Sequence, residues 1–215
     1  MENPFQLVAR YGLPPIRSVI QVGASGGQEI PMFQENGIEY AAMIEPLDYP
    51  FSVLCSNCQG KGNFLPIQSG VGPRDGEVTT FYVASNDGQS SSLLKPAQHL
   101  TIFPYVSFTQ EVNVSCFTLD AIIRSVPVTN TSFPAHYDLI YIDVQGAELE
   151  VFKGASKALS QSKYIFTEVG HGGGYEKDVS CLQLIQYLGA YNYKLIELTI
   201  DPNTGYGDAF FMRFD

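Results

Sequence analysis

Two groups of residues in this chain have the types and spacing to do chemistry. The first is a glycine-rich turn followed by an acid. Gly23-Ala24-Ser25-Gly26-Gly27 leaves a short apolar run and opens a helical pattern. Glycines at such a turn let a ligand approach the backbone closely, and the helix start offers N–H groups without internal partners. Glu45 stands 22 positions beyond Gly23, at the end of the next apolar run. In nucleoside-binding α/β sheets an acid at about this spacing accepts hydrogen bonds from ribose hydroxyls. Taken alone, the turn also fits a tight strand-to-helix connection. With Glu45 it points to a nucleoside held outside the carboxyl ends of the strands. The turn does not read G-x-G-x-x-G, which argues against a dinucleotide.

The second group is Asp143, Glu168 and His171. Asp143 closes the run Asp138 to Asp143 (DLIYID), Glu168 sits near the end of Tyr164 to Val169 (YIFTEV), and His171 opens the loop His171-Gly172-Gly173-Gly174. If they converge, these side chains suit a general base for a hydroxyl, or oxygen and nitrogen ligands for a divalent metal. The base reading is favoured over the metal. Asp143 suits equally a structural role holding the turn that follows it, and a loop histidine suits simple solvation. Cys55-x-x-Cys58 has no second CxxC or Cys/His pair to complete a zinc site. Both cysteines fall on the apolar face of a predicted helix instead.

The elements that must carry these residues alternate between short apolar strands and helical patterns, which predicts a largely parallel sheet covered on both faces. Strands are expected at Ser18 to Val22, Tyr40 to Ile44, Phe64 to Gln68, Val78 to Val83, Glu111 to Ser115, Asp138 to Asp143 and Tyr164 to Val169. A helix after the glycine turn buries Ile30 and Phe33 and stops at Asn36-Gly37. Another follows Asp48, its expected cap, with Phe51, Leu54, Cys55 and Cys58 on one face. Thr118 is read as the cap of a short helix through Ile123, and Ala147 to Leu159 as one helix. Asp178 is read as the cap of a helix carrying Leu182, Ile185 and Leu188. Asn86 to Ser92 reads as an exposed loop. Lys194 to Thr199 and Ala209 to Phe214 are separated only by a turn, so they must be antiparallel neighbours. Phe103, Tyr105 and Tyr175 are read as loop residues that either contact an acceptor or pack onto the sheet.

The chain has 215 residues, a hydrophobic fraction of 45% and a formal net charge of −10. This length suits one domain, 1–215, with a sizeable core. The acidic balance disfavours nucleic acid and anionic lipid as partners. No apolar run approaches the length of a membrane span, and Met1 to Pro15 lacks the pattern of a secretory signal. A cytoplasmic location with reduced thiols is therefore expected, where the N-x-S sequons at Asn113 and Asn130 carry no meaning.

In order along the chain, several motifs resemble those of the FkbM-type methyltransferases. Gln21-Val-Gly-Ala-Ser-Gly-Gly27 is similar to D-V-G-A-N-x-G, and Ile44-Glu45-Pro46 to F-E-P. Ser91-Ser92-Leu93 resembles an S-S-L loop and Thr118-Leu119-Asp120 a leucine-aspartate after a strand. Tyr141-Ile-Asp-Val-Gln-Gly-Ala-Glu148 resembles K-I-D-V-E-G-A-E, and Glu168 resembles an acid at a later strand end. The resemblance implies a Rossmann-like class I methyltransferase fold, with a mostly parallel sheet ending in an antiparallel hairpin. It also implies S-adenosylmethionine as cofactor, and O-methylation of a small molecule or glycan. By the same analogy Gln21, Gly23, Ala24, Ser25 and Gly27 surround the methionine end, and Glu45 with Pro46 holds the ribose. Ser69, Gly70 and Val71 lie near the adenine, and Asp143 beside the transferred methyl. The chain departs from the family at Gln21 and Gln145, where acids are expected. Two other readings stay open: a catalytically silent nucleoside-binding or interaction domain, and an NAD-dependent oxidoreductase.

Overall fold

A computed structural model describes residues 3–129 and 133–214; the sequon at Asn130 lies outside them. The elements run α1 (Pro4–Arg10), β1 (Ser18–Val22), α2 (Ile30–Glu35), β2 (Tyr40–Ile44), α3 (Asp48–Cys58), β3 (Phe64–Ile67), β4 (Gly70–Val71), β5 (Glu77–Ala84) and α4 (His99–Ile102). They continue with β6 (Phe108–Phe117), α5 (Leu119–Thr129), β7 (Leu139–Ile142), α6 (Glu148–Lys153), α7 (Ser156–Gln161), β8 (Tyr164–Gly170), α8 (Cys181–Gly189), β9 (Tyr193–Ile200) and β10 (Tyr206–Arg213).

Seven strands form one sheet in the order β3-β2-β1-β7-β8-β10-β9. All neighbours are parallel until β10, which lies antiparallel to both β8 and β9. The chain thus builds outward from β1 to β3 on one side and from β7 on the other. The strand order reverses between β1 and β7, where open α/β sheets place their ligands. A separate three-stranded sheet has the order β4-β6-β5. No described helix is long and apolar enough to cross a membrane.

Period-two alternation decides which residues enter which core layer. On β1, Ile20 and Val22 face Leu119, Phe152, Leu159 and Leu188 on one side of the sheet. Val19 faces the other, with Met43, Phe33, Leu54 and Phe166. That second layer also receives Phe5, Leu7 and Val8 of α1. A capping box starts this helix: Asn3 Oδ1 accepts from the Phe5 and Gln6 N–H groups, and the Gln6 side chain accepts from the Asn3 N–H.

Several local expectations are corrected. The stretch 147–159 is two helices, broken at Gly154-Ala155. Asp120 of α5 causes the restart of α7: its carboxylate accepts from the backbone N–H of Lys157 and Ala158, both at 2.8 Å, as a cap supplied from another helix. Thr118 does cap α5, accepting from the Ala121 N–H at 3.1 Å, but that helix runs on to Thr129. Ser180, not Asp178, caps α8, in a box with Gln183. Leu184 and Leu188 are its buried residues, while Leu182 is exposed. Asp48 is inside α3 rather than capping it, and its carboxylate accepts from the Gln68 amide. The stretch 86–92 is not an exposed loop throughout: Ser90, Ser91 and Ser92 are buried.

Candidate functional site

The carboxyl ends of β1, β2 and β7 open on a cavity of about 390 Å³. Its first wall is the turn after β1. There Gly23 and Ala24 both donate to the Ile44 carbonyl, at 3.0 and 2.9 Å. Gly23 has φ +82°, and a Cβ at this position would overlap the carbonyl oxygen of Asp143. Only glycine lets the ends of β1 and β7 come this close. The Asp143 N–H closes the same seam on the Val22 carbonyl at 3.0 Å.

Glu45 joins this wall to a second, formed by Pro46 and Leu47 after β2. One of its oxygens accepts from the Ser25 N–H and the other from the Leu47 N–H, each at 2.9 Å. It is buried, and loss of water raises its carboxyl to about 7, although both hydrogen bonds favour the charged form. Each carboxylate oxygen has a further lone pair, so Glu45 can brace both loops and still accept from a ligand.

Ser69, Gly70 and Val71, running from the end of β3 into β4, form the third wall. Asn86, Gly88, Gln89, Ser90, Ser91 and Leu93 form the fourth. The fourth wall is held inward by its own hydroxyls. Ser91 Oγ accepts from the Ala84 N–H at 2.9 Å, and the Asn86 amide donates to Ser90 Oγ at 3.0 Å. Tyr175, itself buried, donates to the Ser90 carbonyl at 2.9 Å.

Asp143 forms the floor with Val144 and Gln145. Its side chain keeps surface toward the cavity, yet the cavity lies deep enough that lost solvation still raises its carboxyl. Gln145 Nε2 donates to Asp143 Oδ1 at 2.7 Å and to Glu168 Oε2 at 3.0 Å. Gln145 has φ +56°, a left-handed conformation that costs a non-glycine residue about 1–2 kcal/mol. Glu168 is raised well above the ordinary carboxylate range by burial and by Asp143, Glu148 and Asp208 around it. Burial likewise raises Glu148 to about 7 and Asp208 to about 6. Burial and mutual repulsion thus work together against ionisation of this group.

Of the residues expected to bind a cofactor, Gly23, Ser25, Glu45, Pro46, Ser69, Gly70, Val71 and Asp143 line the cavity. Gln21, Ala24 and Gly27 are buried and do not line it. Gly27 serves packing, since a Cβ there would press on Leu54 at 2.8 Å. Asp143 and Glu168 are brought together through Gln145. His171 is not: its exposed ring packs over Gly205 in the β9–β10 turn. Among the described residues, no three His, Cys, Asp or Glu side chains group as metal ligands. The Phe103 ring packs at a tilt against His99 and Tyr206, and Tyr105 is exposed.

Sequence reasoning missed Glu29 and Gln28. Glu29 lines the cavity from the N-cap position of α2, and its carboxylate accepts from the Gln21 amide at 2.8 Å. Its signal was an acid closing the glycine turn near an unexpected Gln21. Three acids, Glu29, Glu45 and Asp143, thus face a cavity whose lining includes no Lys or Arg. Such a site favours a cationic ligand.

Comparison with known proteins agrees with this geometry. Residues 21–195 match the methyltransferase FkbM domain. The chain is 26% identical over 127 residues to the 2-O-methyltransferase NoeI of Sinorhizobium fredii, a match covering 56% of this chain and 49% of NoeI. It therefore spans about half the length of that relative. Magnesium protoporphyrin IX methyltransferase from Synechocystis, solved with bound S-adenosylmethionine, has the same fold with a TM-score of 0.52 at 11% identity. That match covers 97% of this chain and 75% of the other. The M. capricolum TrmK, solved with S-adenosylhomocysteine, gives a TM-score of 0.52 at 11% identity, covering 99% of this chain and 70% of the other. Further fold neighbours carry RNA-methyltransferase descriptions, so the fold gives no ground for ruling out nucleic acid as an acceptor. The architecture is Rossmann-like, and the chain belongs to the methyltransferase FkbM domain family.

Proposed function

We propose that this domain transfers the methyl group of S-adenosylmethionine to a hydroxyl oxygen of a small molecule or glycan. The observation that carries the reading is the acid-lined cavity at the point where strand order reverses, with the Gly23 turn on one wall and Glu45 bridging to the next. S-adenosylmethionine is a nucleoside with a sulfonium and an ammonium against a single carboxylate, so it is a net cation. It fits an acidic cavity whose wall at Gly23 has no room for a side chain. The Glu45 carboxylate takes the ribose hydroxyls, and the segment 69–71 lies beside the base.

Bound S-adenosylmethionine would supply a methyl carbon open to in-line attack by the acceptor oxygen, the carbon–sulfur electron pair going to sulfur to leave a neutral thioether. The hydroxyl proton passes to Asp143, which faces the cavity, while Glu168 and Gln145 fix that carboxylate and moderate its proton affinity. The cofactor supplies the reactive methyl; the protein supplies position and electrostatics. The hydroxyl as target is supported by the 2-O-methyltransferase relative. A neutral or cationic acceptor rather than a nucleic acid is supported by the net charge of −10.

Calorimetry with S-adenosylmethionine, S-adenosylhomocysteine and NAD tests the cofactor. Binding of the two sulfur nucleosides and not of NAD is expected. Binding of neither sulfur nucleoside would overturn the proposal. Binding without methyl transfer to any hydroxyl in a panel of sugars and phenols would favour the silent-domain reading.

A further inference from the structure

Gln21 occupies the position at the end of β1 where the family carries an acid, and its surroundings show where that charge has gone. The Gln21 side chain is almost wholly buried, at 1% exposure. Its Nε2 donates to Glu29 Oε2 at 2.8 Å, while its Oε1 has no hydrogen-bond partner. A buried amide fixed on one side only is held there by that single bond, because losing it would leave both polar atoms unsatisfied. Glu29 in turn reaches the cavity wall beside Gly23, Ser25 and Gln28. Burial raises its carboxyl above the ordinary range, the Gln21 amide pulls it back, and Asp143 across the cavity repels it. No basic side chain among the lining residues neutralises it. A carboxylate that is drawn into a cavity, oriented by an amide and unmatched by any cation there is arranged for a cation from outside.

We propose that Glu29 receives the ammonium group of the ligand's amino-acid end, with Gln21 as its positioning residue. The negative charge has moved from the strand end at position 21 to the N-cap of α2 at position 29. This inference rests on the methyltransferase reading. The departure at Gln21 is then a relocation of charge rather than its loss.

The test is calorimetric and needs no turnover. Three probes are used: S-adenosylhomocysteine; its deamino analogue, which lacks only the amino group; and 5′-methylthioadenosine, which lacks the whole amino-acid end. Wild-type protein should bind S-adenosylhomocysteine at least about tenfold tighter than the deamino analogue, as expected for one charge-assisted hydrogen bond. Glu29→Gln should lose that preference while keeping its affinity for 5′-methylthioadenosine. The exchange variant Q21E/E29Q should regain most of it, because the pair keeps one acid and one amide. Equal wild-type affinities for S-adenosylhomocysteine and the deamino analogue would overturn the inference, whatever the variants do. So would an E29Q protein that binds S-adenosylhomocysteine like wild type, or that loses both it and 5′-methylthioadenosine alike. A wild-type protein that binds none of the three overturns the methyltransferase reading as well.

Discussion

Asp143 and Glu168 share one amide donor. Gln145 Nε2 lies 2.7 Å from Asp143 Oδ1 and 3.0 Å from Glu168 Oε2, and it is the only hydrogen-bonding influence that lowers the raised Asp143 carboxyl. Replacing Gln145 by Met keeps the side-chain length and removes the donor. Asp143 should then ionise at higher pH. The acidic limb of the kcat profile should move to higher pH, and turnover at pH 7 should fall on the order of tenfold. An unchanged limb would remove Gln145 from the proton path.

Glu45 should behave as a brace as well as a ligand contact. Its two oxygens each accept a backbone N–H, from Ser25 and from Leu47. Glu45→Gln presents an amide group to one of those donors, so one buried N–H loses its acceptor at a cost of about 1–3 kcal/mol. Nucleoside affinity should fall with it. Denaturant unfolding and calorimetry on the same preparation separate the two effects.

Much of this site could be read from residue order, and the rest failed for identifiable reasons. Ser18 to Val22 and Tyr40 to Ile44 were legible to the residue, because apolar runs of strand length end at turn signals. Within the stretch 86–92, Asp87 and Gln89 are exposed as expected, but Ser90, Ser91 and Ser92 are buried; serine suggests solvent, yet Ser90 and Ser91 find partners for their hydroxyls in the Asn86 amide and the Ala84 N–H. Asp178 and Ser180 are both good cap types, and Gln183 at the third helical position decides for Ser180. Asp178 accepts instead from the Gly173 and Tyr175 N–H groups, holding the glycine-rich loop. The packing of the His171 ring over Gly205 depends on where the β9–β10 turn lies, a tertiary fact with no local signature. Glu29 was hidden for the same reason: its role depends on Gln21 eight positions earlier, on another element.

Gly23 and Gly37 make a matched pair for testing the close approach of β1 and β7. Both have positive φ, +82° and +69°. A Cβ at Gly37 meets nothing within 4 Å, whereas one at Gly23 overlaps the Asp143 carbonyl. Gly37→Ala should therefore cost only the left-handed penalty of about 1–2 kcal/mol. Gly23→Ala should cost clearly more and abolish nucleoside binding, because the seam beneath the cavity must open. Equal melting temperatures for the two variants would contradict this.

The aspartate of the Thr118-Leu119-Asp120 motif is expected to be structural. Its carboxylate caps α7 and lies outside the lining of the main cavity. Asp120→Ala should cost about 1–2 kcal/mol, the usual range for a lost cap. Affinity for S-adenosylhomocysteine should stay within about twofold, since no group lining the cavity is touched. A large affinity loss in a folded D120A protein would place the motif in the binding machinery instead.

The buried carboxyls set an unusual direction for stability against pH. Glu45 and Glu148 are raised to about 7 and Asp208 to about 6, each chiefly by burial. A group whose folded pKa lies above its unfolded value binds its proton more tightly when folded. Its contribution is complete below the unfolded pKa and is lost as pH rises through the folded one. The ligand-free protein should therefore weaken between about pH 4.5 and 7, by on the order of 1–3 kcal/mol. Urea midpoints at pH 5.5 and 7.5 give the sign directly. A cationic ligand favours the ionised carboxylates, so S-adenosylmethionine should stabilise the protein more at pH 7.5 than at 5.5. A urea midpoint that rises with pH in the ligand-free protein would mean that burial does not hold these acids above the ordinary carboxylate range.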